Sequence, residues 1–130
     1  MDAAADRPVL VVGAGPAGLA AALELARLDR PVRIVDAKPA PSTHSKAIGI
    51  NARTLELVEP SGVTERLLAQ GRRIAGIDFR GEDRLLFRLR FAELRHRYNF
   101  MLGLPQSETE RVIEQMLDRA YPVNADTHYI

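Results

Sequence analysis

The sequence predicts an α/β fold in which a parallel βαβ unit is followed by a small antiparallel β segment. Two patterns carry this prediction. A short apolar run, a glycine-rich turn, a long apolar helix and a second apolar run follow one another within residues 9–36, which is the order of a βαβ unit. Apolar and polar residues then alternate over much of residues 74–91, a pattern typical of half-buried antiparallel strands.

The composition is that of a single globular domain and excludes several classes of function. Of the 130 residues, 46% are hydrophobic and 27% are charged, so one core is expected. The net charge of +1 provides no global field to recruit nucleic acid or an anionic membrane. The chain has no cysteine, which excludes disulfides and thiolate metal sites.

Targeting signals and charge clusters give no indication of a membrane or nucleic-acid partner. The start lacks the basic region of a signal peptide, and no apolar run reaches the roughly 18 to 20 residues of a membrane span. We therefore expect a cytoplasmic protein without membrane or nucleic-acid partners. The arginines between Arg80 and Arg97 alternate with apolar residues, so we interpret them as the solvent-facing side of strands rather than as a phosphate track.

The first βαβ unit is read directly from the apolar pattern. Val9–Val12 is a continuous, mostly β-branched run and predicts a strand buried on both faces. Residues Pro16 to Asp29 predict a helix that is apolar around most of its circumference and must therefore lie against a sheet. Val32–Asp36 predicts the second strand, parallel to the first.

The middle of the chain predicts two short helices and a hairpin. Residues 37–45 form a loop by composition, and helices are expected at residues 51–59 and 64–69. The strands of the hairpin are expected at residues 74–79 and 85–91, and residues 99–103 are expected to add a third strand.

The last helix is expected from Gln106 or Ser107 to about Ala120, because an apolar stripe follows a Ser107-to-Glu110 capping box. Residues 121–130 carry no periodic signal and are expected to form a tail.

Three glycines form the candidate binding site. Gly13, Gly15 and Gly18 have G-x-G-x-x-G spacing between a buried strand and a long helix, which is the context that gives this weak motif its meaning. The first glycine permits a tight turn, the second lets a diphosphate approach the backbone, and the third lets helix and strand pack closely. The free N–H groups at the helix start then bind the diphosphate without a lysine, unlike a P-loop.

Asp36 ends the second strand, eighteen residues after Gly18. An acidic side chain there is expected to accept hydrogen bonds from the adenosine ribose and to repel a 2′-phosphate, which favours FAD or NAD over NADP. The alternative is an ordinary surface aspartate at a strand end.

Three blocks of sequence resemble one family. Val9 to Ala37 resembles the Rossmann-like first unit of FAD-dependent enzymes. The block from Ser45 to Glu56 and the block from Leu104 to Glu110 resemble the next two blocks of the single-component flavoprotein monooxygenases of the p-hydroxybenzoate hydroxylase type. The three blocks occur in the family's order.

The resemblance implies FAD as cofactor, NAD(P)H as electron donor, and a small aromatic substrate that is hydroxylated with O2. It places Lys46 where the family commonly has an arginine near the diphosphate, and Gln106 beside the ribityl chain of the flavin; a plain helix-start residue is the alternative for Gln106. Arg53 is a second candidate for the diphosphate region or, equally, a surface arginine of a helix. Motif and resemblance together predict these cofactor-binding residues: Gly13, Ala14, Gly15, Pro16, Ala17, Gly18, Asp36, Ala37, Lys46, Arg53 and Gln106.

The resemblance is to an N-terminal part only. The family's later Asp-Gly and Gly-Asp-Ala-x-His segments do not occur here, so weak or absent catalysis by this chain alone is expected, together with self-association or association with a missing C-terminal portion. The expected division is residues 1–72 in the FAD-binding domain, 73–103 as strands of a substrate domain, 104–120 as a helix returning to the first domain, and 121–130 as the tail. A stand-alone nucleotide-binding module without turnover and, more weakly, a fragment of an NAD-dependent dehydrogenase remain as alternatives.

Overall fold

The computed structural model describes residues 7–39 and 49–121, and the backbone of residues 125–129. Eight strands and four helices lie within these described residues. In chain order they are β1 (Val9–Val12), α1 (Pro16–Arg27), β2 (Val32–Asp36), β3 (Gly49–Ile50), α2 (Ala52–Leu57), α3 (Val63–Gln70), β4 (Arg72–Ile74), β5 (Gly76–Arg80), β6 (Leu85–Arg90), β7 (Met101–Gly103), α4 (Gln106–Ala120) and β8 (Ala125–Tyr129).

The predicted βαβ unit is confirmed. β1 and β2 have the predicted bounds and pair in parallel, from Val9 opposite Val32 to Val12 opposite Val35. α1 connects them and buries Leu19 and Leu23 completely. The helix ends two residues before the predicted Asp29, because Asp29 adopts a left-handed backbone conformation (φ 55°) that does not continue a helix.

The prediction that β1 is buried on both faces is wrong. Val11 packs against the core beside α1, but Leu10 and Val12, which point to the opposite face, are 59% and 79% exposed. Side chains alternate between the faces of a strand, and among the described residues only the α1 side of β1 is covered. The apolar sequence of β1 is thus typical of a strand buried on both faces, although the face that carries Leu10 and Val12 is exposed.

A third parallel strand extends this sheet where no strand is predicted. β8 pairs with β2 from Val32 opposite Ala125 to Asp36 opposite Tyr129, which gives the order β1-β2-β8. Its sequence, ADTHY, has neither an apolar run nor clear alternation, so its strand character comes from backbone pairing with β2 rather than from a local pattern.

The strand predicted at residues 99–103 does not extend the hairpin. β7 instead pairs antiparallel with β3 and β4, in the order β3-β7-β4. Leu102 in the middle of β7 is completely buried, so burial against the helices decides the position of this strand. Ile74, which the pattern assigns to the hairpin, likewise belongs to β4 of this second sheet.

The hairpin itself is confirmed, but it is not half-buried. β5 and β6 pair antiparallel, with Ile77 opposite Leu89 and Phe79 opposite Phe87. The two phenylalanine rings stack with centroids 4.2 Å apart. Every residue of β6 is nonetheless exposed, because no other described element packs on the apolar face of the hairpin.

The helices follow the predicted pattern with shifted starts. α2 covers the middle of the predicted 51–59 helix, after which Glu59–Ser61 forms a separate 3-10 turn. α3 and α4 occupy the predicted segments. The predicted capping box of α4 is not formed: the helix begins at Gln106 with Pro105 before it, so Ser107 lies inside the first turn.

One core joins these elements. Buried side chains from α1, α3 and α4 meet those of β2 and β7 in a single cluster, including Leu19, Ile34, Leu67, Leu102 and Val112. The assignment of residues 73–103 to a substrate domain stays a prediction. No helix in the described part of the chain is long and apolar enough to cross a membrane.

Candidate functional site

The glycine turn is a tight connection between β1 and α1. Gly13 has φ +105°, a conformation that side chains rarely allow. Its N–H donates to the carbonyl oxygen of Val35 at 2.7 Å, which extends the β1-β2 pairing by one residue. The chain therefore leaves the sheet directly at Gly13 and enters the helix at Pro16.

Gly18 lies where helix and strand approach most closely. A Cβ built on Gly18 would lie 1.9 Å from the carbonyl oxygen of Gly13 and 3.3 Å from the Cγ1 atom of Val11. The first atom belongs to the backbone of the turn, which cannot move aside without displacing the turn. Only glycine fits at this position.

Among the described residues, nothing covers the start of α1. Gly15 precedes the helix, no side chain caps it, and a Cβ on Gly15 would meet no atom within 4 Å. The first N–H groups of a helix have no partner within the helix, and Pro16 contributes none. Ala17 beside it is exposed, so the positive end of the helix dipole is open to an anion.

Asp36 is a buried residue that hydrogen-bonds to the glycine turn, rather than a surface residue. It is 8% exposed; its Oδ2 accepts from the N–H of Ala14 at 2.7 Å, and its Oδ1 accepts from the N–H of Lys38 at 2.9 Å. The N–H of Lys38, then that of Ala14 and the charge of Lys38, hold the pKa of Asp36 below its ordinary value against the opposing effect of burial. The carboxylate thus ties the glycine turn to the loop that begins at the exposed Ala37.

A cleft of about 170 Å³ brings together the described parts of the three sequence blocks. Pro16 comes from the first block, Asn51 from the second and Gln106 from the third. The complete lining is Pro16, Gly49, Ile50, Asn51, Thr54, Leu104, Gln106 and Thr109. Gln106 is half-buried there, and its Nε2 donates to Oε1 of Glu110 at 2.8 Å.

Other candidate residues lie elsewhere or outside the described residues. Arg53 is not part of this cleft; it donates to Glu56 at 2.7 Å, its side chain is 71% exposed, and it lines a second cleft beside Phe91 and Phe100. Lys46 lies outside the described residues. No cluster of potential metal ligands occurs among the residues that are described.

The sequence pattern singles out Gln106 but not its neighbours Asn51, Thr54 and Thr109. Asn51 could have been found as a helix cap, since its Oδ1 accepts from the N–H of Thr54 at 2.8 Å. Thr109 and Glu110 are buried polar residues within an apolar stripe, a signal that is visible only after the helix has been placed against the core.

Known proteins resemble this chain over nearly its whole length. A family model described as an FAD binding domain matches residues 6–128. The 6-methylpretetramide 4-monooxygenase of Streptomyces rimosus is 37% identical over 87% of this chain and 21% of its own length. The pentachlorophenol 4-monooxygenase of Sphingobium chlorophenolicum is 39% identical over 90% of this chain and 22% of its own length.

The structural comparison agrees. The crystal structure of p-nitrophenol 4-monooxygenase from Pseudomonas putida DLL-E4 matches with a TM-score of 0.86 and 25% identity, over 95% of this chain and 31% of that chain. This chain therefore spans about a fifth of the length of the curated relatives and about a third of that structure.

Proposed function

Since the chain belongs to the FAD binding domain family, we propose that it holds the diphosphate of FAD at the glycine turn, as the N-terminal part of a flavin-dependent monooxygenase that hydroxylates an aromatic compound. The observation that carries this proposal is the uncapped start of α1 at Gly15, which opens to space beside the buried, ionised Asp36.

The turn suits a diphosphate because it offers backbone hydrogen-bond donors, although residues 13–18 include no charged side chain. Gly15 leaves room for phosphate oxygens against the backbone, and the N–H groups of the first turn, which have no partner within the helix, could donate to them. Lys46 would add a positive charge in the manner that the resemblance implies.

Asp36 suits the adenosine side of the cofactor. Each of its oxygens already accepts one backbone N–H, yet a carboxylate oxygen has two lone pairs. A ribose hydroxyl could therefore donate to Asp36 without breaking its hydrogen bonds to Ala14 and Lys38. A 2′-phosphate beside a carboxylate held in its ionised form would be repelled.

The cleft at Pro16, Asn51 and Gln106 suits the flavin side, because it begins at the same turn. When bound, FAD supplies the redox and oxygen chemistry, with NAD(P)H as the electron donor. The chain's own residues bind and orient it. By their names, these relatives act on 6-methylpretetramide and on pentachlorophenol, which supports an aromatic substrate here.

The test is an FAD titration that compares the wild-type chain with Gly15→Val and with Gly81→Val as a matched control. Gly81 lies in the hairpin turn, where a Cβ would make only ordinary contacts. We expect Gly15→Val to abolish binding measured by flavin fluorescence, and Gly81→Val to leave the affinity unchanged. Equal affinities for all three proteins would remove the site assignment.

The short span of the chain favours one second candidate, a nucleotide-binding module without turnover. This candidate also predicts binding at the glycine turn, but of ADP as readily as of FAD, and no oxygen-dependent oxidation of NAD(P)H when FAD is supplied. We expect little or no turnover from this chain alone, so nucleotide preference is the measurement that separates the two.

A further inference from the structure

The buried carboxylate of Glu110 hydrogen-bonds to Gln106, the glutamine that lines the cleft. Glu110 is 4% exposed and lies one helical turn after Gln106 on α4. Its Oε1 accepts a hydrogen bond from Nε2 of Gln106 at 2.8 Å. Residues four apart on a helix face the same side, so this pair lies at the boundary between the core and the cleft.

The stability of the fold does not explain this carboxylate. Ile113 and Leu117 continue the same face of α4 into the core, and an apolar side chain at position 110 would continue it in the other direction. Burying a carboxylate costs free energy that its hydrogen bonds only partly offset, and apolar replacements of similar volume are often neutral or stabilising.

The carboxylate does have a consequence for the amide of Gln106. An ionised carboxylate only accepts hydrogen bonds, whereas an amide has a donor end and an acceptor end. Glu110 therefore selects one of the two orientations of the amide: the nitrogen faces Glu110, and the oxygen is turned away from it.

We propose that Glu110 is a positioning residue that fixes the amide of Gln106 for contact with the flavin half of the cofactor. This inference rests on the proposed function, since it concerns how FAD lies in the cleft at Pro16 and Gln106. Glu110 acts through Gln106 and does not itself line the cleft. Its effect should therefore be confined to ligands that reach Gln106.

The experiment measures the dissociation constants of FAD and of ADP for the chain and for variants at position 110. Glu110→Met removes the acceptor and keeps most of the volume, while Glu110→Gln retains an oxygen acceptor. We expect Glu110→Met to weaken FAD binding about tenfold, the effect of losing one charge-assisted hydrogen bond. ADP binding should not change, because ADP lacks the flavin half that would reach Gln106. Glu110→Gln should recover most of the FAD affinity.

Two further measurements separate positioning from a structural role. The thermal midpoint of Glu110→Met should equal or exceed that of the wild type. In a Gln106→Ala background, Glu110→Met should have no additional effect on FAD binding.

The inference is overturned if Glu110→Met binds FAD as the wild type does, if it weakens ADP as much as FAD, or if it still weakens FAD when Gln106 is absent. A wild-type chain that binds neither FAD nor ADP would instead contradict the proposed function, and the inference with it.

Discussion

Gly15 and Gly18 lie in the same turn but differ in what a side chain would meet. A Cβ at Gly18 would collide with the backbone oxygen of Gly13, whereas a Cβ at Gly15 would meet nothing. We therefore expect Gly18→Ala to lower the free energy of unfolding by about 2 kcal/mol or more, as overpacking against backbone does. Gly15→Ala should lower it by less than about 1 kcal/mol, the cost of a poorer residue before a helix.

Urea denaturation of the two variants without ligand checks this difference. FAD titration should give a second contrast, because Gly15→Ala places a methyl group where the diphosphate approaches and should weaken binding despite its small effect on folding. Equal loss of stability in the two variants would mean that the turn is not packed as described.

The lowered pKa of Asp36 predicts that the stability of the fold depends on pH. The backbone N–H groups of Lys38 and Ala14 hold its pKa below the ordinary value of 3.8 in the folded chain. A carboxyl whose pKa is lowered by folding stabilises the folded state above its unfolded pKa, and this contribution is lost as the pH falls through the folded value. Asp36→Asn should cost about 1–3 kcal/mol at neutral pH, since its amide nitrogen would face a buried N–H.

This cost should shrink as the pH is lowered below 3.8, because the carboxyl of the unfolded wild-type chain then takes up a proton while the folded one does so only at a lower pH. Unfolding by urea across this pH range measures the difference between the two proteins. Asp118→Asn, at an exposed position on α4, is the control for the change in charge alone. A difference that stays constant down to acidic pH would show that the ionised form of Asp36 does not brace the turn.

The glycine turn is the part of the site that the sequence predicts best, because its requirements are local. The spacing of Gly13 and Gly18 and the position of Asp36 at a strand end are all visible in one stretch of chain. The bond from Ala14 to Asp36 is not visible there, since it depends on the register of β1 against β2 across 22 residues. The separation of Arg53 from the cleft also depends on tertiary packing, which turns that side of α2 toward Phe91 and Phe100.

At the level of elements, α2 and α4 begin in different ways. Asn51 caps α2 through its side chain, whereas α4 starts after Pro105 without a side-chain cap and Ser107 makes none. We expect Asn51→Ala to destabilise the chain by about 1 kcal/mol and Ser107→Ala by less than about 0.5 kcal/mol. Urea midpoints of the two variants give the measurement. A Ser107→Ala cost as large as that of Asn51→Ala would mean that the predicted capping box forms after all.

Elements with a strong local pattern are predicted and those that depend on partners are not. The apolar run of β1, the helix α1 and the alternation of β5 and β6 each specify their own conformation. β8 has a polar sequence and forms a strand because it pairs with β2. β7 pairs with β3 and β4 rather than with the hairpin, because this position buries Leu102. Burial on the second face of β1 also depends on what lies against it, and periodicity alone cannot supply that information.

At the scale of the molecule, two apolar surfaces stand out among the described residues. The first, the outer sheet face, consists of Leu10 and Val12 on β1. The second, the hairpin face, consists of Phe79, Phe87 and Leu89 on β5 and β6. Contiguous exposed apolar residues of this kind mark contacts or association, and β1 is also an edge strand of the described sheet. The chain spans about a fifth of the length of its curated relatives, so the residues exposed on its surface can differ from those exposed in a longer protein.

These surfaces predict that the isolated chain associates with itself, more strongly as its concentration rises. The variant Val12→Lys/Phe87→Lys places a charge on each surface and should reduce the weight-average mass in sedimentation at a given concentration. Leu28→Lys is the control, because Leu28 is also exposed, directly after α1, but belongs to neither surface. Since Val12 is 79% exposed, a charge at that position should leave folding nearly intact, so a fall in mass there reports association rather than unfolding. A chain that stays monomeric at every concentration, or a control that dissociates it as well as the double variant does, would mean that these two surfaces do not drive association.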